Sequence, residues 1–101
     1  MTELNALTQL LQAYLHLDWP EDYAGEPMAA VEDFATQEPE LAARLRSEIE
    51  LVLRECPSEQ QLRDLVLDKL ASGYTPDASG MSFREWLGRV VERVDQVLSG
   101  A

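Results

Sequence analysis

His16, Asp18, Glu21 and Asp22 gather one imidazole and three carboxylates within seven residues, a set that could hold a divalent ion or exchange protons. Such an ion normally asks for more nitrogen or sulfur ligands, and the chain has one His and one Cys in total. The oxygen-ligand spacing of a calcium loop is also absent after Asp18. The structural alternative for His16 is contact with the carbonyls at the end of a helix, where a cation is favoured. Cys56 sits before Pro57 and beside Glu55, and a neighbouring acid disfavours the reactive thiolate. Ser79 is flanked by Ala78 and Gly80, unlike a carrier-protein attachment serine with Asp and Leu beside it, and no strand precedes it as a nucleophile elbow requires. No glycine-rich phosphate cradle occurs. The expectation is no enzyme: no catalytic residues, no metal and no cofactor.

The carboxylates have a stronger message as a group. Eight Lys and Arg against nineteen Asp and Glu leave a net charge of −11 over 101 residues, which opposes direct contact with nucleic acid or an anionic membrane. Nine of the acids fall between Met1 and Ala43, where there is no Lys or Arg, whereas ten acids face all eight bases from Arg44 onward. The lone Cys56 excludes an internal disulfide and suits a reducing compartment. No basic leader or long apolar run occurs near Met1, so the expectation is a cytoplasmic protein with no membrane span.

These side chains must be positioned by helices, because apolar residues recur at helical spacing and nowhere alternate with period two. The pattern predicts an all-α, single compact domain of five helices spanning residues 1–101. Helix one runs from Glu3 to Leu17 behind Thr2 as N-cap, with Leu4, Leu7, Leu11, Tyr14 and Leu15 on one stripe. Asp18–Glu26 is a loop, with Pro20 and Gly25 shaping it. Pro27 opens a second helix that buries Met28, Val31, Phe34 and Ala35. Pro39 opens a third with Leu41, Leu45, Ile49, Val52 and Leu53 inward, ended by Pro57. Ser58 and Gln61 form a capping box for a fourth, which buries Leu62, Leu65, Val66 and Leu70 and turns at Gly73. After a loop from Tyr74 to Met81, Ser82 and Glu85 form a second box. The last helix then lines up Phe83, Trp86, Leu87, Val90, Val91, Val94 and Leu98, and Gly88 suggests a close helix approach. The two loops are the candidate functional segments.

Charge pairing divides the chain in the same place. Glu50/Arg54, Glu59/Arg63 and Glu85/Arg89 are four residues apart in the favourable order on one helix face. Asp18, Glu21, Asp22, Glu26, Glu32 and Asp33 have no such local partner. Crowded carboxylates repel one another and cost stability, so a basic partner is the expectation; the bland alternative is solubility. Aromatic residues in an acidic loop are either pinned into the core or presented to a partner, and the expectation here is burial for Trp19 and exposure for Tyr23. The candidate partner-binding residues are thus Asp18, Glu21, Asp22, Tyr23, Glu26, Glu32 and Asp33.

Tyr14-Leu15-His16-Leu17-Asp18-Trp19, followed by Tyr23, resembles the aromatic-x-His-x-Asp-Trp signature of small acidic immunity proteins. These are the CdiI-type proteins of bacterial contact-dependent growth inhibition systems. Val31 and Phe34, Glu48-Ile49 with Leu53, Ser58-Glu59 with Leu62, and Trp86-Leu87 extend the similarity from about Leu7 to Leu98. Leu15 and Leu17 depart from it, standing where an aromatic and a polar residue are expected. The resemblance implies a cytosolic protein that binds and neutralises the C-terminal toxin domain of a matching effector. With the acidity, the expected partner is a basic nuclease held by a monomer in a 1:1 heterodimer, with no direct contact to nucleic acid or membrane. The alternative is a small acidic regulatory or adaptor domain binding a basic protein segment.

Overall fold

Each predicted stripe becomes a helix in the computed structural model, which describes residues 4–16, 18–70, 72–76 and 80–100. Helix α1 spans Asn5–Gln9 and continues as a π-helical turn over Leu10–Tyr14; α2 is Trp19–Asp22, α3 Pro27–Gln37, α4 Pro39–Ala42 and α5 Leu45–Glu55. Helix α6 spans Glu59–Arg63 with a π-helical continuation over Asp64–Lys69, and α7 is Phe83–Leu98. No strand occurs among the described residues, as the all-α expectation requires. Thr2, Glu3, Leu17 and Ser79, each given a role above, lie outside the described residues.

The core is one continuous apolar cluster drawn from α1, α3, α4, α5, α6 and α7, with Phe34, Phe83 and Trp86 as its largest fully buried members. Burying such a side chain is worth roughly 1.5–3 kcal/mol, so these three anchor the packing. The stripes are shifted in detail. Ala42, Leu45, Ile49 and Val52 are buried while Leu41 and Leu53 are only partly so, because the third predicted helix breaks at Ala43 and Arg44 into α4 and α5. The break turns Ala42 and Leu45 to the same core. In α1 the π turn closes Leu15 N–H onto the Leu10 carbonyl at 2.9 Å, keeping Leu15 buried and leaving Tyr14 half-buried. Leu98, expected inside, is 39% exposed as the last residue of α7.

The helix ends combine local and remote caps. The Ser58–Gln61 capping box forms in full, and Ser82 Oγ accepts from Glu85 N–H at 3.0 Å. The Glu85 carboxylate instead meets Arg89 at 3.1 Å, one of the predicted pairs. The first amides of α7 are satisfied from α6, where the Glu59 carboxylate accepts from Phe83 N–H at 2.7 Å and Arg84 N–H at 3.1 Å. Arg84 returns the contact, donating to the carbonyls of Leu53, Cys56 and Pro57 at the end of α5. Likewise the amides of Ala6 and Leu7 donate to Glu48 of α5 at 3.0 and 2.9 Å. Glu50 pairs with Arg46, 3.7 Å away in the turn before it, where Arg54 in the turn after was expected.

Gly88 corrects another expectation. A Cβ built there meets nothing within 4 Å, so no neighbouring helix approaches closely. Gly88→Ala should therefore raise stability by about 0.5–1 kcal/mol through reduced chain entropy, read from the denaturant midpoint; a loss would mean a contact is present there after all.

Candidate partner-binding surface

The acidic segment after α1 is a folded corner. Its predicted loop contains the single turn of α2, begun by Pro20 at an early helical position and closed by Tyr23 N–H on the Trp19 carbonyl at 3.0 Å. Ala24 and Gly25 follow at φ +53° and +76°, two successive left-handed residues that reverse the chain toward α3. Gly25 takes this conformation freely, whereas Ala24 is strained by its Cβ.

Trp19 moors the corner from below. Its indole N–H donates to the Gly73 carbonyl at 3.1 Å, and its ring meets Tyr74 edge-on at a centroid distance of 5.3 Å. Tyr74 in turn packs on the buried Trp86 ring at 5.2 Å. Gly73 N–H also donates to the Leu15 carbonyl at 2.7 Å. Gly73 is thus not the helix-ending turn expected of it but the strap between residues 72–74 and the acidic corner. The segment after α6 likewise begins inside the core, since Tyr74 and Pro76 are buried.

His16 and Asp22 lock the corner from the side. His16 Nδ1 accepts from Asp18 N–H at 3.0 Å, and Nε2 lies 3.0 Å from the Asp22 carboxylate. The ring therefore engages an amide and a carboxylate, not the helix-end carbonyls expected for it. This arrangement is that of the tautomer with its proton on Nε2, which donates to Asp22 while the Nδ1 lone pair accepts the Asp18 amide. Among the described residues no group of three or more His, Cys, Asp and Glu is arranged to hold a metal ion.

Tyr23 overturns its expected exposure. It is half-buried against the core, and its hydroxyl donates to the Asp33 carboxylate at 2.8 Å. Burial first, and then Asp33, raise its ionisation far above the ordinary tyrosine range. Tyr14 makes the parallel contact from α1, donating to Glu38 at 2.8 Å, and burial followed by that bond pushes its hydroxyl up to about 12. Both rings are neutral donors that hold carboxylates in place.

The acids themselves sort into two kinds. Glu32 of α3 pairs with Arg93 of α7, so it is not uncompensated, and helical spacing could not reveal a partner across the fold. Asp22 is tied to His16 and Asp33 to Tyr23. Asp18, Glu21 and Glu26 are exposed, with no side-chain partner among the described residues. Of the seven candidate residues, these three point their charge outward without an internal counter-charge, while Asp22, Tyr23, Glu32 and Asp33 are part of the scaffold. Glu48, Glu59 and Arg84 escaped the sequence analysis as cross-helix caps. A carboxylate within an apolar stripe, as at Glu48 between Leu45 and Ile49, was the available signal.

These features define a class: a small helical protein whose acidic corner is braced from within and presents bare carboxylates. No helix among the described residues is long and apolar enough to cross a membrane. A family model described as CdiI immunity protein matches residues 3–94, and the chain belongs to that family. Membership brings with it the family's role of toxin neutralisation, and immunity proteins are in general not enzymes. No curated protein and no solved structure gave a match.

Proposed function

We propose that this protein binds the C-terminal toxin domain of a contact-dependent growth inhibition effector one to one, that the toxin is a nuclease, and that the acidic corner faces its cationic cleft. The observation that carries this is the set of exposed carboxylates at Asp18, Glu21 and Glu26, held without counter-charge on a corner fixed by Trp19 and His16. A nuclease gathers positive charge to hold phosphates, and carboxylates carried on a fixed backbone can occupy that field in place of substrate. Asp22, Tyr23, Glu32 and Asp33 support the same surface from beneath, and Asp22 adds its charge to the face.

The braced backbone favours tight binding, because little loop freedom remains to be lost on association. Complementary charge also accelerates encounter, by roughly 10- to 1,000-fold at low salt. The Asp18→Asn, Glu21→Gln, Glu26→Gln triple variant should therefore associate with the toxin domain about tenfold or more slowly at low salt. Its salt dependence should be flatter and its melting temperature unchanged or raised. Stopped-flow association measures this, and an unaltered low-salt rate defeats the acidic-corner model. The nuclease assignment is checked separately, by whether an equimolar amount of the protein stops cleavage of RNA or DNA by the same domain.

A further inference from the structure

We propose that the groove lined by Gln37, Glu38, Pro39, Glu40, Leu41 and Arg44 is a second docking point, which receives an arginine side chain of the toxin domain. It rests on the proposed neutralisation of a basic toxin, and it places an anchor outside the Asp18–Asp33 segment. The groove arises where α3 ends, α4 makes its single turn, and the chain breaks again at Ala43 and Arg44. Its volume is about 480 Å³, within the roughly 300–1,000 Å³ typical of clefts that hold small ligands. A long side chain fits there with room for bridging water.

Its chemistry favours a guanidinium. Glu38 and Glu40 supply two carboxylates, and the carbonyl end of the eleven-residue α3 adds partial negative charge at the same place. Pro39 and the half-buried Leu41 offer apolar wall for the methylene stem, which lies along such surface while the charged head reaches acceptors. Glu40 is exposed and has no ion-pair partner among the described residues. Arg44, also without one, is the single base of the groove and leaves the carboxylates in excess.

Glu38 is set for this role before any partner arrives. One of its oxygens, Oε2, accepts from Gln9 Nε2 at 3.1 Å and from the Tyr14 hydroxyl at 2.8 Å. Tyr14 is fixed in turn by its edge contact with Phe34 at 5.5 Å. The carboxylate is thus tied to the core through one oxygen, and the other remains for an incoming donor. A planar guanidinium matches a fixed carboxylate better than an ammonium does. Tyr23 and Asp33 make the same kind of phenol–carboxylate bond at 2.8 Å, Asp33 lying within α3 and Glu38 just after it, so each of these carboxylates is held by a tyrosine.

Titration calorimetry of the toxin domain against wild type, Glu40→Arg and Glu38→Gln tests this. Glu40→Arg should weaken binding by about tenfold or more while melting as wild type does, because Glu40 is exposed. Glu38→Gln keeps an acceptor for Tyr14 and should also weaken binding. If Glu40→Arg binds within about twofold of wild type and wild type still neutralises the toxin, the groove is not the docking point and the acidic corner stands. If wild type itself fails to bind the toxin domain, the neutralisation model falls and the groove with it.

Discussion

Glu48→Ala should cost about 3–4 kcal/mol of stability, the larger of the two strongest effects expected in this molecule. Glu48 is only 8% exposed and accepts from the amides of Ala6 and Leu7, two of the donors that a helix N-terminus leaves without partners. Hydrogen bonds to a charged acceptor contribute about 1.5–3 kcal/mol each, and the favourable position at the positive end of α1 adds a few tenths more. Alanine leaves both amides without an acceptor at a site that water reaches poorly. The void it leaves is a smaller matter, since the lost atoms are mostly polar. Against a total of about 5–15 kcal/mol for a domain, the loss is a large fraction. The melting temperature should fall by roughly 10 °C or more. Glu48→Gln, which keeps one acceptor, should lose about half as much. The denaturant midpoint measures both, and a change below about 1 kcal/mol for alanine would show that solvent replaces the carboxylate.

Trp19→Ala should be nearly as damaging, at about 2–4 kcal/mol. The indole contributes packing against the core, an N–H bond to Gly73 and an edge contact with Tyr74. The last two link the acidic corner to the segment before α7, so their loss frees α2 as well as weakening the core. Association with the toxin domain should slow too, because the carboxylates of Asp18 and Glu21 are then no longer held in place. Trp19→Phe separates the parts, since it keeps most of the ring contact and loses only the hydrogen bond, at about 1 kcal/mol. Thermal melts alongside association rates decide the matter. Full stability with weakened binding for Trp19→Ala would make the ring a partner contact instead of a mooring. Tyr23 offers no such clean contrast, because its half-buried ring and its bond to Asp33 couple stability to the surface.

The helices were legible because their signals are local. Apolar spacing, Pro27 and Pro39 at helix starts, and Ser58 with Gln61 each act within a turn or two of backbone. The helix breaks were not legible. Nothing in Leu41-Ala42-Ala43-Arg44 resembles a breaker, and the chain bends there because Ala42 and Leu45 both bury against elements distant in sequence. The π turns are similar, with Tyr14 released toward Glu38 while Leu15 stays in the core. The groove at Gln37–Arg44 exists only because of such a break.

The candidate surface divides along the same line. By itself the sequence determined that the first 43 residues hold nine acids and no Lys or Arg, and that the His16–Trp19 stretch resembles an immunity-protein signature. Charge and motif are properties of the chain in order, and folding does not alter them. Only the tertiary structure decided which acids remain available. It sent Arg93 across to Glu32, gave Asp33 to Tyr23 and Asp22 to His16, and left Asp18, Glu21 and Glu26 bare. The reason is physical: a charge is compensated by what lies within a few ångströms of it, and those neighbours are set by packing, up to 61 positions away in the chain.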